Sequence, residues 1–585
     1  MGGGPLLAHN LALLRRHQPN IAARLSEAAP HPQADEPQAD QALTQAFQLA
    51  QSESRDFLFL AGLPLGDAWL QAIRPFLREN RGVLILEPEA GRLTAWLGAV
   101  QAGWLLRSRR VFWAIGADAL SQAESRLQEC LGYMAARPLF WLHPQRQDLQ
   151  PLMQSLQAFI QRERASMNAR LKALPGRLQE ANPWPPRIWS FEDLRGVAGY
   201  SSIQNTLMRM LHFELRRLGC ETEYLVMRDG RYYPPYYRIL RLALFEPTLV
   251  FLCNKSPSYD ICLGAQFSRS LPIRKLTWFA DDPYYAEHLL ERNGTSEDEA
   301  FLVADWDWMH TLERHGARRI GFMPGGVTKT RRGRKRSTWR CEVMFVGQIR
   351  DQRAFFTQLS PGWRRYCEAV IAAKLRSPRM NVHAAMQQAS MPAPLPADRL
   401  DELRQHILWE ANTRFRLRVV QQLAPYDLRI YGNAAWQHLL PPELAKRAYR
   451  GLLPQGRLFE AYRNARIALN IHSLQSCTCL NVRDFDVPAA GGFLLSDWLP
   501  RADDVFRPGF VDDLPLDEHS SAEVFFYRSA AELRQLADYF LTHETERQAC
   551  LERARQTVLA HHTYRHRARF LWQTLSDWMT EPDPA

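Results

Sequence analysis

Short, almost uninterrupted apolar runs recur along this chain and alternate with stretches of helical period. The first three runs begin near residues 57, 83 and 110, roughly 25–30 residues apart. A run of this kind is typical of a strand in a parallel sheet, because helices there cover both faces of the sheet. The repeated alternation of strand and helix predicts α/β architecture with doubly wound sheets.

Three series of this alternation follow one another along the chain. A Pro- and Trp-containing stretch at 182–186 separates the first series from the second, and the dense basic run Lys329–Arg336 separates the second from the third. The sequence therefore predicts a Rossmann-like domain at 1–185 with helical flanks, a second at 186–328, a basic linker at 329–340, and a third at 341–585 with a helical insertion at about 356–425.

Composition narrows the class of protein. Hydrophobic residues make up 46% and charged residues 23% of the 585 positions, which excludes a largely disordered chain. We find no apolar run of about 18 residues and no basic leader before an apolar stretch, so neither a membrane span nor a secretory signal is expected. The nine cysteines form no CxxC pair, and Cys477 with Cys479 lacks a matching half, which favours reduced thiols in a cytoplasmic protein over a zinc site.

The net charge of +11 favours anionic partners: nucleic acid, acidic lipid or a phosphorylated small molecule. The run Lys329–Arg336 concentrates this charge, but no nucleic-acid-binding motif accompanies it. We therefore favour a solvated linker and expect no nucleic-acid partner. A peripheral contact between the basic surface and a membrane is an alternative that the sequence does not exclude.

The first series carries features of a nucleotide site. Gly62 and Gly66 stand where the first strand passes into a helix, and Glu87 ends the second strand, where Rossmann-type sites often place an acid against ribose hydroxyls. A GxxxG spacing alone is weak evidence for a nucleotide-binding site. A tight turn without a ligand explains the two glycines equally well.

The second and third domains, placed in tandem, predict a cleft between the carboxyl edges of their sheets, where such sheets bind ligands. This layout suits a GT-B glycosyltransferase, and it also suits a dehydrogenase or a periplasmic-type binding protein. Four blocks narrow the choice: Trp278–Pro283, Glu342–Gly347, Leu469–His472 and Asn481–Asp497. In their order and spacing they resemble CgeB-like glycosyltransferases of GT-B type, from residue 187 to the C-terminus.

The resemblance implies a nucleotide-sugar donor, UDP-, GDP- or dTDP-linked, bound by the third domain, and an acceptor bound by the second. It implies no other cofactor and no metal. Asp486 stands where the family has a Glu that reaches the ribose, and Asp can still accept two hydroxyl hydrogen bonds; the alternative is an acid at a helix start. Gly347, Asn481 and Gly491 lie in the matching blocks and are expected in the donor site.

Sugar transfer places negative charge on the departing diphosphate, which requires fixed positive groups. Arg350 and Arg353 follow Gly347 at a predicted strand-to-helix turn, and Arg483 precedes the predicted ribose acid. We expect these arginines to bind the donor phosphates, with Arg483 as the strongest candidate for catalysis. A surface position is the alternative for Arg350 and Arg353.

The catalytic base is harder to identify. Asp281 and Asp282 end a predicted strand and could deprotonate an acceptor hydroxyl, or they could form a turn and helix cap before a proline. His472 also ends a strand and could touch the sugar or phosphate, or be a structural histidine. Asp305 and Asp307 match a metal-binding DxD by letters, but we interpret them as acids at a helix N-terminus.

The first 185 residues include a segment whose apolar patterning, with Glu-Pro after the second strand, resembles Maf-type motility-associated proteins. This resemblance implies a protein acceptor, with flagellin as the candidate, and a cytoplasmic site of action; a docking module is the alternative. The sequence thus predicts a glycosyltransferase acting on a protein or glycan. An inactive GT-B-scaffold adaptor and a nucleic-acid binder are the competing hypotheses.

Overall fold

The computed structural model describes residues 4–25, 36–78, 81–129, 138–182, 184–193, 203–228, 233, 237–254, 271–328, 340–516 and 519–580. The basic run Lys329–Arg336 and most of the predicted linker at 329–340 lie outside these residues. None of the helices in the described part combines the length and apolar composition needed to cross a membrane. The seven cysteines that it includes are free thiols.

The first sheet has four parallel strands in the order β3-β2-β1-β4. Every residue of β1 and β2 is buried, as their continuous apolar sequences predict. The strands are β1 Phe57–Ala61, β2 Gly82–Glu87, β3 Val111–Ile115 and β4 Pro138–Leu142. The helices are α1 Gly4–His17, α2 Pro19–Leu25, α3 Pro37–Ser52, α4 Trp69–Arg78, α5 Ala90–Ala99, α6 Gly103–Leu106, α7 Ala119–Glu129 and α8 Gln150–Glu180.

The second sheet has six strands in the order β10-β9-β8-β7-β5-β6. Its central strands pair in parallel. The strands are β5 Arg187–Asp193, β6 Glu221–Met227, β7 Leu249–Cys253, β8 Arg274–Phe279, β9 Glu299–Val303 and β10 Arg319–Phe322. The helices are α9 Ile203–Arg217, α10 Tyr237–Phe245, α11 Glu287–Asn293 and α12 Met309–Arg314, with 3₁₀ turns at Pro283–Ala286 and Trp306–Trp308.

The third sheet has six parallel strands in the order β12-β11-β13-β14-β16-β15. Its strands are β11 Cys341–Val346, β12 Leu428–Tyr431, β13 Ala465–Asn470, β14 Leu494–Asp497, β15 Pro508–Gly509 and β16 Val524–Tyr527. Between β11 and β12 lie α13 Arg353–Gln358, α14 Pro361–Arg376, α15 Val382–Gln387 and α16 Ala397–Gln422. The remaining helices are α17 Ala435–Leu439, α18 Pro442–Ala448, α19 Leu458–Arg463, α20 Val482–Ala490, α21 Ala530–Thr542, α22 Glu544–His561 and α23 Tyr564–Thr580.

Three successive parallel sheets with helices between their strands confirm the predicted α/β class and its tandem Rossmann-like domains. The chain divides into two compact units. The first comprises Met1–Ala181, Phe191–Tyr200 and Leu225–Pro247, and the second comprises Asn182–Ser190, Ser201–Tyr224 and Thr248–Ala585. The domain limits drawn from the sequence stay predictions.

Candidate active site

The carboxyl edge of the third sheet brings Gly347 and Arg483 together. Gly347 follows β11, and its N–H donates to the carbonyl of Tyr431 at 2.9 Å. A Cβ added at Gly347 would lie 2.6 Å from the Phe345 ring and 3.2 Å from Nη1 of Arg483. Position 347 therefore favours glycine, because the side chain of a larger residue would collide with the Phe345 ring.

Helix α20 begins at this edge with a capping box. The Asn481 side chain accepts from the N–H of Arg483 at 2.8 Å, and the Asp484 side chain accepts from the N–H of Asn481 at 2.8 Å. Nη1 of Arg483 donates to the carbonyl of Val346 at 2.5 Å, and its guanidinium lies 5.9 Å from the Phe345 ring centroid. The cation is thus fixed beside a helix N-terminus, an arrangement that favours an anionic ligand.

Asp486 lies one turn further along α20 and is 2% exposed. Its Oδ1 accepts from the N–H of Thr328 at 2.8 Å, and the Thr328 hydroxyl, with a single hydrogen to donate, lies 2.9 Å from Oδ1 and 2.7 Å from Oδ2. Burial raises the pKa of Asp486 to about 7, although the hydrogen bonds from Thr328 act against this rise. In this conformation both carboxylate oxygens contact Thr328 and the side chain is buried, so a ribose could reach them only after a rearrangement around Asp486.

Thr328 ends a segment that leaves the second sheet and is held by the start of the last helix. The N–H of Val327 donates to the carbonyl of His562 at 2.8 Å. Nε of Arg567 donates to the carbonyls of Pro324 and Gly325, both at 3.0 Å. The candidate donor site is therefore bordered by residues from before β11 and from after α22.

His472 is fully buried and lies between two carboxylates. Its Nε2 is 2.7 Å from Oδ2 of Asp484, and its Nδ1 is 2.7 Å from Oδ1 of Asp497. Burial alone would lower the pKa of His472, but the two carboxylates outweigh it and raise this pKa above its ordinary value. Asp497 also pairs with Arg379. Both ring nitrogens of His472 are thus engaged by carboxylates, as in the structural alternative, and its predicted contact with a sugar or phosphate stays a prediction.

The other predicted donor residues have local roles. Gly491 has φ 84° and ends α20 as its left-handed C-terminal residue, which favours glycine. The guanidinium of Arg350 lies 3.7 Å from the ring centroid of Trp409 and is exposed. Arg353 is exposed and pairs with Asp351 at 2.5 Å. The structure brings neither arginine into contact with Arg483.

Asp281 and Asp282 follow β8 and differ in environment. Asp281 is partly exposed, and its carboxylate accepts from the amides of Asn254, Gln475 and Gln204 at 2.7, 3.0 and 3.1 Å. Asp282 is 4% exposed and accepts from the N–H of Tyr284 at 3.0 Å, as a cap does. Burial raises the pKa of Asp282 to about 8, and Asp307 and Asp305 add to this rise.

Asp305 joins the second sheet to the loop after β13. Its Oδ2 accepts from the N–H groups of Cys477, Thr478 and Cys479 at 2.9, 3.0 and 3.1 Å. Its Oδ1 accepts from the N–H of Asp307 at 3.1 Å, so Asp305 also caps the 3₁₀ turn. The carboxyl-end loops of the two sheets therefore contact each other through Asp305 and, separately, through Asp281 and Gln475.

Sequence reasoning missed Lys374 and Arg379, which support this region. Lys374 is fully buried in the insertion, and its Nζ donates to the carbonyls of Leu474 and Pro378 at 2.9 and 3.1 Å, and to that of Met380. Burial lowers the pKa of Lys374 to about 8, with nearby groups including Asp282 acting against the fall. A charged residue on a helix gives no sequence signal of such burial.

A group of potential metal ligands lies on α11 and just after α12, outside the strands of the second sheet. Among the described residues, Glu287, Glu291 and His315 bring one potential ligand atom each to within 4.8 Å of one another. Glu287 also pairs with Arg404 at 2.7 Å and with Arg314 at 3.3 Å. These two guanidinium groups already balance the negative charge of Glu287. The set Glu287, Glu291 and His315 therefore fits a metal ion poorly.

The carboxyl edge of the first sheet is filled by the chain's own side chains. Glu87 is fully buried and accepts from the N–H groups of Leu63 and Glu89 at 2.8 and 3.0 Å. His143, after β4, packs so closely on Gly62 that a Cβ there would lie 2.7 Å from the His143 Cβ. Glu87, which the sequence suggested as a ribose-binding carboxylate, therefore accepts hydrogen bonds from backbone N–H groups in this structure.

Residues 404–573 match the sequence profile of the Glycosyl transferase-like family. No curated protein matches the chain at a significant level. Among solved structures, the chain is similar to CalG4, the calicheamicin glycosyltransferase, with 12% identity and a TM-score of 0.29, over 68% of this chain and 100% of that one. It is also similar to the catalytic domain of starch synthase IV from Arabidopsis thaliana bound to ADP and acarbose, with 9% identity and a TM-score of 0.35, over 68% and 100%.

Both TM-scores are below 0.5, so we draw nothing about this chain from either structural likeness. The family match is informative, because it covers the strands β12 to β16 and the helix α20, and it includes Arg483 and Asp486. It supports the general part of the resemblance found in the sequence, whereas the closer resemblances to CgeB-like and Maf-type proteins stay predictions. The C-terminal part of the chain, residues 404–573, is thus similar to the Glycosyl transferase-like family.

Proposed function

We propose that the protein transfers a glycosyl group from a nucleotide-sugar donor to an acceptor hydroxyl. The observation that carries the proposal is Arg483 fixed at the capped N-terminus of α20, beside Gly347, in the segment that is similar to glycosyltransferases. A helix N-terminus together with a guanidinium fits a diphosphate better than a neutral ligand.

In the proposed reaction the bond between the anomeric carbon and the donor phosphate oxygen breaks, and its electron pair leaves with the nucleoside diphosphate. Arg483 and the N-terminus of α20 stabilise this charge. The acceptor oxygen bonds to the anomeric carbon and loses its proton to a base. Asp281 suits that role better than Asp282, because Asp281 is partly exposed whereas Asp282 is a buried cap. We propose that no metal takes part.

We further propose that donor binding and Asp486 are linked. Asp486 can accept ribose hydroxyls only after Thr328 releases it. The nucleotide would replace the hydrogen bonds from the N–H and the hydroxyl of Thr328 with bonds of its own. The segment Pro324–Thr328, which also contacts Arg567, would then move when the donor binds.

The acceptor and the place of action rest on the resemblances alone. We propose a protein or glycan acceptor, flagellin being one, and a cytoplasmic enzyme. An adaptor without turnover is the second candidate, favoured by the full engagement of Asp486 and His472 with other groups of the chain.

A panel of UDP, GDP, dTDP and CMP in thermal-shift measurements tests donor binding, since a ligand of the folded state raises Tm. Hydrolysis of the matching nucleotide sugar then separates an enzyme from an adaptor. Arg483→Gln should abolish hydrolysis and reduce the thermal shift, while Arg399→Gln, at an exposed arginine paired with Glu402, should preserve both signals. A wild-type chain that binds none of the nucleotides would refute the proposal.

A further inference from the structure

A separate pocket of about 200 Å³ lies on one face of the third sheet, between β11, β12 and α19. It is lined by Cys341 and Met344 of β11 and by Arg429 of β12. Arg429 pairs with Met344 in register, and its neighbours Leu428 and Ile430 belong to the core on the opposite face. The pocket therefore lies against the beginning and middle of β11, whereas the candidate donor site begins at Gly347, beyond the last residue of that strand.

The charged side chains that line this pocket are mostly positive. Among the described residues that line it, three are arginines, Arg340, Arg429 and Arg457, and one is a carboxylate, Glu460. The nearest nitrogens of Arg340 and Arg457 lie 3.7 and 3.8 Å from the Glu460 oxygens, beyond hydrogen-bonding distance. An excess of positive charge in a concave site favours an anionic ligand.

Two donors in the pocket's lining are buried without an acceptor. Nε of Arg429 and Nδ2 of Asn464 have no hydrogen-bond partner anywhere in the described part of the chain. Asn464 is only 5% exposed. A buried donor without an acceptor is unfavourable, so a ligand oxygen bound here would relieve a cost that the free protein carries.

The remaining lining is apolar. Tyr431, Leu452 and Pro454 lie in it, and Leu452 is 67% exposed, an unusual exposure for a leucine. We propose that this pocket is a second ligand site, distinct from the donor site, that binds a small organic phosphate monoester. Its phosphate oxygens accept from Arg429, Asn464 and Arg340, and its organic part packs on Tyr431 and Leu452.

Calorimetric titration of the full-length protein with phenyl phosphate and with inorganic phosphate tests this site. We expect phenyl phosphate to bind more tightly, since only its ring can contact the apolar wall. Arg429→Gln, Asn464→Leu and the exposed Arg340→Gln should each weaken binding by about tenfold or more. Arg340 lies at the surface, so its variant remains informative if a buried replacement fails to fold.

Two control variants show whether the phosphate monoester binds in this pocket. Arg399→Gln removes an equal charge from an exposed position outside the pocket and should leave binding unchanged. Arg483→Gln should also leave it unchanged, because Arg483 belongs to the donor site. Absence of binding, an equal loss in Arg399→Gln, or a loss in Arg483→Gln without one in Arg340→Gln would each overturn the proposal.

Discussion

Arg483 is held from two directions. Its backbone N–H is part of the capped start of α20, and its Nη1 is bonded to the carbonyl of Val346 on β11. A cation fixed in this way does not need to reorganise when charge develops on a bound phosphate. Arg350 stacks on Trp409 and Arg353 pairs with Asp351, so neither shares this arrangement.

Replacing Arg483 by Lys should lower kcat by on the order of 10²-fold, with a smaller change in donor affinity, because a guanidinium can bind a diphosphate through two parallel hydrogen bonds and an ammonium cannot. Steady-state kinetics and calorimetry on the same preparation measure the two effects. Arg399→Lys serves as the surface control. Turnover at the wild-type rate would reduce Arg483 to a structural role.

Three buried groups contribute to the pH dependence of stability in the same direction. The pKa of Asp486 is raised to about 7, that of Asp282 to about 8, and that of His472 is raised as well. A group with a raised folded-state pKa contributes stability that is complete below its unfolded-state pKa and is lost as the pH rises through the folded-state value. All three contributions therefore decline in the same direction, toward alkaline pH.

For Asp486 the window extends from about pH 4, the unfolded carboxyl value, to about pH 7. Asp486→Asn keeps the shape and can exchange hydrogen bonds with Thr328, but it does not titrate. We expect Tm of the wild type to fall relative to that of the variant from pH 5 to pH 8. The comparison is made between the two chains because the buried His212 and His562, whose pKa values are lowered to about 3, act on stability in the opposite direction. Asp504→Asn, at a 43% exposed side chain, should keep the wild-type slope. Parallel slopes for Asp486→Asn and wild type would contradict the prediction.

At the scale of elements, the sequence predicts strands wherever a continuous apolar run ends in glycine or a polar residue. It identifies β1, β2, β11 and β13 in this way, but not β4 or the four-residue β16, Val524–Tyr527. The proximity of Gly347 and Arg483 follows from the adjacency of β11 and β13. The His472 cluster could not be foreseen, because it requires the relative positions of β13, α20 and β14.

The loop after β13 depends on one side chain from the second sheet. Asp305→Ala would leave the N–H groups of Cys477, Thr478 and Cys479 without their acceptor, at a cost of about 1–3 kcal/mol for each donor that stays buried. We expect a lower Tm and faster hydrogen exchange at these amides, measured by mass spectrometry. The exposed Glu402→Gln is the matched control. Unchanged exchange at 477–479 would show that the loop is held by other contacts.

At the scale of the whole molecule, the candidate site residues are not shared between the two compact units. Every residue of the candidate donor site lies in the second unit. The first unit includes α10, where Leu240 packs on Met167 of α8. Glu246, directly after α10, pairs with Arg177 and Arg170 at 3.0 and 3.4 Å. A boundary drawn along the sequence at 185 therefore separates α10 from its helical partner.

Deleting residues 1–181 should leave the Kd for the nucleotide unchanged while lowering Tm, because the donor site stays complete whereas Leu240 and Glu246 lose their partners. Calorimetry and thermal unfolding of the truncated and full-length chains measure the two effects. Met167→Ala in the full-length chain weakens the same contact without a deletion, at about 2–5 kcal/mol for a buried Met, and it serves if the truncated chain does not fold. A folded Met167→Ala variant that no longer binds nucleotide would show that the first unit takes part in the donor site.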